Sequence, residues 1–401
     1  MTSKKNYIKY LNSERNRVET HSEKYELRQT LFGTEDVIPM WVADMDLPIA
    51  PHIKKALLKR MQHPILGYTL ASQQTYQAVV NWHAQKGLIC SNHHIEFTHN
   101  VANGFHMAIQ AYSNPGDTIL VQSPVYPPFL KAPTLNERHC VESPLELLHG
   151  RYQINFEQFE KDIVDNHVTL FLLCNPQNPS GRIWLKHELK SMADICLRHN
   201  VIIISDEIHS SLINKGTFTS MASLSDSVAN MTITLDSPGK TFNLGGLQIG
   251  YALIYNPLLL DKYRAIKKTV AIEGLNIFAL VALEAAYSNS KTTKWLKALN
   301  SVLKDNLSYL KEFMKVNYPQ VQLMEPEASY LVWLDFNALF DNHQSLKHWL
   351  INDAKLGLND GASFSRSPLV GEGFVRMNIA VPKSILIKAC TQLFNAKTGL
   401  P

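Results

Sequence analysis

Long apolar runs, clustered charge and paired cysteines are all scarce in this 401-residue sequence. The formal net charge is only +4, and the basic residues are scattered, which argues against nucleic acid or a membrane surface as a partner. The most apolar stretch, FALVALEAAY, is too short to span a membrane and is interrupted by Glu284. The polar N-terminus also lacks the features of a secretory signal.

The five cysteines are an odd number and lie far apart, with no CxxC spacing. Disulfide frameworks and thiolate metal sites both need cysteines in pairs or clusters. The sequence therefore predicts reduced thiols, a cytoplasmic location and no metal site.

Short apolar runs that alternate with helical patterns indicate an α/β fold. DTILV, TLFLLCN, VIIISDE and TITLDS have the composition of buried strands, and KHELKSMADICLRHN, between the second and the third of them, has helical periodicity. This order predicts a mostly parallel sheet covered by helices. Ligands of such sheets bind at the carboxyl ends of the strands, where Asn175, Asp206 and Ser237 stand.

The length favours two domains. Beyond residue 290 a long helical pattern precedes two strand-like runs, SYLVWLDF and FVRMNIAV, which are separated by the helical HQSLKHWLINDAKL. We predict a large domain over residues 50–290 and a small α+β domain over 291–401. The N-terminal segment, residues 1–49, is predicted to join the small domain.

Three residues near the predicted strand ends carry possible chemistry. Asp206 follows a buried strand, and its carboxylate either caps a helix or pairs with a protonated ring nitrogen. Asn178, in the rigid turn NPQNPSG, either only forms the turn or donates its amide to a ligand. Lys240, in SPGKTFN, is either a loop residue or a nucleophile whose lowered pKa permits a Schiff base.

The combination of these three residues indicates a particular chemistry more specifically than any one of them does. Lys240 follows Asp206 by 240 − 206 = 34 residues, or one strand with its connections, so the two side chains and Asn178 can meet at one sheet end. A carboxylate for a pyridine nitrogen and a lysine for an aldehyde are the two groups that pyridoxal phosphate needs.

These motifs resemble the signature of the fold-type I pyridoxal-phosphate enzymes. PMWVADMD (39–46), LGYT, SPVYPPF, DEIH and FVRMNIAVP resemble in particular the cystathionine β-lyase-like C–S lyases of aminotransferase class I/II. The resemblance extends from about Pro39 to the C-terminus. It implies a mostly parallel seven-stranded sheet with helices on both faces, a smaller α+β domain, an amino-acid substrate and a homodimer.

The resemblance also implies roles for individual residues. Lys240 would hold the cofactor as a Schiff base, Asp206 would pair with the pyridinium nitrogen, and Asn178 would donate to the phenolic oxygen. Tyr126 would stack on the cofactor ring. The cofactor phosphate would be bound by the amides of Asn103 and Gly104, by the hydroxyl of Ser237 and by Tyr68 of the neighbouring subunit.

The substrate carboxylate would be bound by the planar fork of Arg376. Each residue also has a purely structural interpretation: Arg376 would form an ordinary surface ion pair, and Tyr126 would be an aromatic residue of the turn beside Pro127. Asp44 is a candidate for the wall of the substrate pocket, together with Tyr330 and the segment SFSRS.

Two positions differ from the pattern of many transaminases. His209 stands where they carry a tyrosine, three residues after the ring-pairing aspartate, and it either contacts the cofactor or only packs beside the site. Gln248 stands where they carry a phosphate-binding arginine, eight residues after the lysine. Both differences resemble the lyase branch.

The resemblance favours β-elimination of cystathionine or another S-substituted cysteine to pyruvate, ammonia and a thiol. A class I/II aminotransferase is the alternative, since both reactions would use Lys240. A third possibility is a pyridoxal-phosphate protein with a mainly regulatory role.

Overall fold

The computed structural model of the protein describes residues 3–399. The N-terminal part contains three short helices and one short strand: α1 (Lys4–Leu11), α2 (Glu23–Glu26), α3 (Arg28–Phe32) and β1 (Ile38–Pro39).

A seven-stranded sheet forms the centre of the following region. Its strands are β2 (Ile95–Thr98), β3 (Thr118–Val121), β4 (His139–Glu142), β7 (Val168–Cys174), β8 (Ile202–Asp206), β9 (Thr232–Asp236) and β10 (Gly250–Ile254). They lie in the order β2-β10-β9-β8-β7-β3-β4. From β9 to β4 all neighbours are parallel, whereas β10 is antiparallel to both β2 and β9. A separate hairpin, β5 (Glu146–Leu148) with β6 (Arg151–Gln153), follows β4.

Helices cover both faces of this sheet. They are α4 (Pro51–Met61), α5 (Gln73–Ala84), α6 (Val101–Tyr112), α7 (Pro127–Leu135), α8 (Phe156–Asp165), α9 (Lys186–Arg198), α10 (Asp226–Ala229), α11 (Pro238–Phe242), α12 (Pro257–Thr269) and α13 (Ile277–Ser288). Alternate residues of β7 face opposite cores, as the two-residue period of a strand requires. Leu170 and Leu172 share a core with residues of α6 and α12, whereas Phe171 and Leu173 share one with α8 and α9. The near-continuous apolar sequence of β7 follows from this burial on both faces.

The C-terminal region is α+β, as predicted from its two strand-like runs. Its helices are α14 (Thr292–Asn317), α15 (His343–His348) and α16 (Lys383–Asn395), and its antiparallel sheet has the order β11 (Gln322–Met324), β12 (Leu331–Asp335), β15 (Phe374–Asn378), β14 (Asn359–Asp360). The predicted helix HQSLKHWLINDAKL is regular only over α15 and continues as a π-helical turn over Trp349–Asp353.

The N-terminal segment contacts this C-terminal region. Strand β1 pairs in parallel with β13 (Leu356–Gly357), and α1 packs on α14. We therefore propose the division into residues 1–49, 50–290 and 291–401, with the first segment belonging to the small domain. No helix within residues 3–399 is both long and apolar enough to cross a membrane.

Candidate active site

The carboxyl ends of three neighbouring parallel strands bring the predicted residues together. β7 ends at Cys174, which is paired with Asp206 at the end of β8, and Asp206 is paired with Leu235 near the end of β9. The turn that carries Asn178 follows β7, and the short helix α11 with Lys240 follows β9. The convergence of Asp206, Asn178 and Lys240 therefore follows from strand order.

Asp206 is a buried carboxyl group without a cationic partner. Its Oδ1 accepts a hydrogen bond from the amide of Ile208 at 3.1 Å, and no salt bridge reaches it within residues 3–399. Burial raises its pKa to about 7, with a further contribution from Asp236, while the Ile208 amide and Lys240 act in the opposite direction. A buried acid in this state can form an ion pair with a protonated ring nitrogen, which restores its ordinary ionised form.

Lys240 has a pKa suited to a nucleophile or a base. Burial and, after it, the nearby Arg376 cation lower the pKa of its amine to about 8, against the opposing effect of Asp44 and Asp206. Its Nζ donates to the main-chain carbonyl of Ala43 at 2.7 Å. The lysine therefore deprotonates near neutral pH while its head is held in one place.

The segment 41–45 lines the site with its main chain. Its carbonyl oxygens are bound one after another by side-chain donors. The donors are Arg376 to Trp41 at 3.0 Å, Asn378 to Val42 at 2.6 Å, Lys240 to Ala43 at 2.7 Å, Asn378 to Asp44 at 2.6 Å and Asn243 to Met45 at 2.8 Å. Tyr330 adds a second hydrogen bond to the Ala43 carbonyl at 2.9 Å. The sequence motif PMWVADMD thus contacts the residues of the site largely through its backbone carbonyl oxygens.

Arg376 is a buried cation at the side of the site. It lies on β15, and its guanidinium donates to Asn178 Oδ1 at 2.9 Å, to Trp41 O at 3.0 Å and to Asn359 Oδ1 at 2.9 Å. Its Cζ lies 5.1 Å from the centre of the Phe364 ring. Burial lowers the pKa of Arg376 to about 10, which still leaves it charged at neutral pH. No carboxylate pairs with it in the part of the chain that the structure describes, and a buried cation of this kind is suited to an anionic ligand, so a surface ion pair does not describe it.

Asn178 is fixed by this contact. The Oδ1 of Asn178 accepts a hydrogen bond from Arg376, which fixes the orientation of the side-chain amide. The two N–H groups of Nδ2 are therefore directed away from Arg376 and can donate to a ligand.

The N-terminus of α6 requires a correction. The helix begins at Val101 after the N-cap Asn100, whose side chain accepts from the Asn103 amide at 2.7 Å; the Asn100 carbonyl accepts from Gly104 at 3.0 Å. The two amides predicted to bind phosphate are therefore already used. In the first turn of α6, the amides of Val101 and Ala102 have no hydrogen-bond partner among the described residues. An asparagine directly before the helix was the sequence signal for this cap.

Gln248 lies at the same helix end. Its Oε1 accepts from Asn100 Nδ2 at 2.6 Å. Gly250, two residues later, lets β10 approach closely, because a Cβ there would lie 2.9 Å from the Asn100 carbonyl carbon. The position that carries a phosphate-binding arginine in many transaminases is thus adjacent to the free amides of α6.

Ser237 lies beside Lys240, but its hydroxyl is already hydrogen-bonded. Its Oγ donates to the Ile249 carbonyl at 2.6 Å and accepts from the Gly239 amide at 2.9 Å, as the N-cap of α11. Binding of a phosphate by this hydroxyl stays a prediction, since it would require the bond to Ile249 to be exchanged.

His209 and Tyr126 border the same space. The His209 ring is buried, its Nδ1 has no partner within residues 3–399, and burial together with Lys240 and Arg376 lowers its pKa to about 3. The imidazole is therefore neutral and has a free polar atom, which favours a ligand contact over simple packing. Tyr126, directly before α7, is partly buried, and burial followed by the charge of Asp206 raises the pKa of its phenol.

Asp44 is not free for a substrate. Its carboxylate forms salt bridges with Arg17 at 2.7 Å and with Lys24 at 2.9 Å. The same two cations also bind Asp46, so the four side chains form one charged cluster beside the site. Burial would raise the pKa of Asp44, but Lys24 and Arg17 lower it on balance. The prediction of Asp44 as a pocket wall missed these partners, which lie some 20 to 27 residues away in sequence.

Tyr68 is exposed, unlike the buried residues of this site. It is fully exposed in the loop between α4 and α5, where Ile65, Leu66 and Leu70 are also exposed.

Comparisons with known proteins identify the family of the chain. The family model for aminotransferase class I and II matches residues 35–393. Cystathionine β-lyase PatB of Bacillus subtilis is 40% identical over 90% of this chain and 93% of its own, and protein MalY of Escherichia coli is 31% identical over 91% and 93%.

Solved structures show the same fold. Cystalysin from Treponema denticola, which contains a pyridoxal 5′-phosphate cofactor, has a TM-score of 0.90 and 30% identity, over 97% of this chain and 98% of its own. The PLP-bound C–S lyase from Staphylococcus hominis has a TM-score of 0.88 and 30% identity, over 96% and 97%. The predicted fold class and the resemblance to the C–S lyase branch are thereby confirmed. The chain belongs to the aminotransferase class I and II family.

Proposed function

We propose that the protein is a pyridoxal-phosphate-dependent C–S lyase that converts cystathionine, or a related S-substituted L-cysteine, into pyruvate, ammonia and a thiol. The observation that carries this proposal is the meeting of a low-pKa lysine, a buried unpaired carboxyl and a buried arginine at one sheet end. The relatives named cystathionine β-lyase and C–S lyase favour elimination over transamination.

The residues present fit pyridoxal phosphate. Asp206 lacks a cation and would pair with the pyridinium nitrogen, and Lys240 would attach the aldehyde covalently. Asn178 and the unpartnered His209 offer polar atoms to the ring, beside Tyr126. The free amides at the N-terminus of α6 would receive the phosphate. When bound, the cofactor withdraws electrons from the substrate amino group and so makes the Cα proton acidic.

The chain's own residues would then carry out the β-elimination. Arg376 binds the α-carboxylate and orients the Cα–H bond. When Lys240 is not attached to the aldehyde, its neutral amine would accept the Cα proton. The electron pair of the Cα–H bond would form the Cα=Cβ bond as the Cβ–S bond breaks and the thiolate leaves. The thiolate takes up the proton that Lys240 accepted, and water hydrolyses the released 2-aminoacrylate to pyruvate and ammonia. For cystathionine the thiol is homocysteine.

We also propose a homodimer in which Tyr68 reaches the phosphate of the neighbouring subunit. The full exposure of this tyrosine, among exposed apolar residues of one loop, supports an intersubunit role. A cytoplasmic location stays a prediction.

The test is to incubate the cofactor-loaded protein with L-cystathionine, without any keto acid, and to follow pyruvate and free thiol together. Equal amounts of both over many turnovers are expected. Activity that appears only after a keto acid is supplied would instead identify an aminotransferase. Lys240→Ala should abolish turnover, and a regulatory effect that survives this substitution would favour the third possibility.

A further inference from the structure

The guanidinium of Arg376 has most of its hydrogen-bonding capacity in use. Of its five N–H groups, one on Nη1 donates to Asn178 Oδ1. The two on Nη2 are matched by two acceptors, Trp41 O at 3.0 Å and Asn359 Oδ1 at 2.9 Å. Nε is buried and has no partner within residues 3–399.

This arrangement limits how a carboxylate can bind. A carboxylate that binds an arginine with both oxygens uses two N–H groups on one edge of the guanidinium, either Nη1 with Nη2 or Nε with Nη2. Both edges include Nη2. A bidentate ligand therefore has to take the place of the Trp41 carbonyl or of the Asn359 amide oxygen.

The Asn359 side chain is the more easily displaced of the two acceptors. The Trp41 carbonyl belongs to the segment 41–45, whose next carbonyl is held by Asn378 at 2.6 Å. Asn359 lies on β14 directly opposite Arg376 of β15, so its backbone is fixed but its amide can rotate. Its neighbour Asp360 is opposite Val375 and is bound by His343 at 2.5 Å and Lys347 at 2.9 Å, so its carboxylate is already paired.

We propose that Asn359 is a specificity-determining residue whose amide oxygen occupies the position of one substrate carboxylate oxygen until the substrate arrives. The proposal rests on the carboxylate-binding role of Arg376 in the proposed function. A neutral amide holds the cation in position but gives way to a charged carboxylate, because charge-assisted hydrogen bonds are roughly twice as strong as neutral ones. An aspartate at 359 would not give way, since it would carry the same charge as the ligand.

The experiment measures ligand binding through the visible absorption of the cofactor-loaded protein. L-Alanine and ethylamine are the probes, because they differ only in the carboxylate and neither has a leaving group. For Asn359→Asp we expect the apparent Kd of L-alanine to rise about tenfold or more, because like charges in one site repel. The Kd of ethylamine should change less than about twofold.

Asn359→Ala is the matched control. It removes the competing acceptor, so L-alanine should bind as tightly as to the wild type or more tightly. The proposal is overturned if Asn359→Ala weakens the binding of L-alanine as much as Asn359→Asp does. It is also overturned if either variant weakens the binding of both probes equally, because Asn359 would then only support the structure.

Arg376→Met separates this proposal from the one on which it rests. Arg376→Met should weaken the binding of L-alanine but not the binding of ethylamine. An equal response of both probes would place the carboxylate elsewhere and overturn both assignments. Failure of the lyase assignment alone would show only in the pyruvate and thiol assay, since no elimination is needed for binding.

Discussion

Lys240 donates a hydrogen bond to the main-chain carbonyl of Ala43 at 2.7 Å, although the two residues are 197 positions apart in sequence. The contact joins the N-terminal segment to the turn that follows β9. It also holds the amine near Arg376, whose charge lowers the lysine's pKa, and near Asp44 and Asp206, whose charges raise it.

The first prediction concerns covalent attachment of the cofactor. Borohydride reduction of the loaded protein, followed by peptide mapping, should label Lys240, because this buried amine is the low-pKa lysine of the site. In Lys240→Ala the label should disappear and β-elimination should fall by roughly a thousandfold or more, since the base and the attachment point are both lost. A label on another lysine of the wild type would contradict the site.

The second prediction concerns the pH dependence of cofactor loading. Attack on an aldehyde needs the neutral amine, and the pKa of Lys240 is about 8 in the cofactor-free protein. The rate at which the cofactor-free protein binds pyridoxal phosphate covalently should therefore rise with pH up to about 8 and level off above it. A rate that continues to rise towards pH 10.5, the ordinary lysine pKa, would show that the fold does not lower it.

The same shift has a consequence for stability. A lysine whose folded pKa is lowered loses its proton more readily in the folded than in the unfolded state. Between pH 8 and 10.5 the unfolded chain thus binds more protons at Lys240, so its contribution to stability increases with pH in this window. Replacing Lys240 with methionine should flatten the pH dependence of the melting temperature of the cofactor-free protein there.

The third prediction concerns Asp206. Asp206→Asn keeps the size of the side chain but removes the charge that would pair with a pyridinium nitrogen. We expect a loss of roughly 100- to 1,000-fold in kcat, the size seen when one preorganised electrostatic group is removed. The visible absorption maximum should also shift. An unchanged spectrum and kcat would leave Asp206 only the structural role of accepting the Ile208 amide in the turn after β8, where no helix begins.

The fourth prediction concerns the shared site of the dimer. Lys240→Ala and Tyr68→Ala are each expected to be impaired, because one removes the lysine and the other the tyrosine of the neighbouring subunit. In a mixture refolded together, random pairing should restore about a quarter of the wild-type sites, since each hybrid dimer has one intact site. If Tyr68 acted within its own chain, the hybrid would have no more activity than the mean of the two parents.

The fifth prediction concerns the charged cluster beside the site. Lys24 is fully buried and binds Asp44 at 2.9 Å and Asp46 at 3.2 Å. Lys24→Met leaves two carboxylates with Arg17 alone and should lower the free energy of unfolding by about 3 kcal/mol, as removal of one partner from a buried pair does.

A matched control is the exposed pair Lys190–Asp194 on α9. Lys190→Met should change the free energy of unfolding by less than about 0.5 kcal/mol. Urea unfolding measures both variants, and equal effects would show that burial of Lys24 does not matter.

Sequence patterns predicted the elements that depend on strand order. Asp206, Asn178 and Lys240 follow neighbouring parallel strands, so their meeting could be predicted without coordinates. Phosphate binding by the amides of Asn103 and Gly104 stays a prediction, but the cap made by Asn100 already uses these two amides and leaves those of Val101 and Ala102 free, a detail that the resemblance did not reveal.

Other features depend on contacts between distant parts of the chain. Asp44 was assigned to the substrate, but its partners Arg17 and Lys24 lie in an N-terminal segment whose fold the sequence did not reveal. Asn359 carried no local signal at all, since its role arises only from its position opposite Arg376 on the neighbouring strand.

The segment 41–45 has a consequence for how this protein tolerates change. Its contacts with the site are made by backbone oxygens, so many replacements of its side chains would leave those contacts intact. Deletion or insertion of a single residue would be different, because every later carbonyl would then face the wrong donor. Apart from Asp44, whose carboxylate binds Arg17 and Lys24, the segment should therefore accept substitutions in a mutant library while rejecting any change in length.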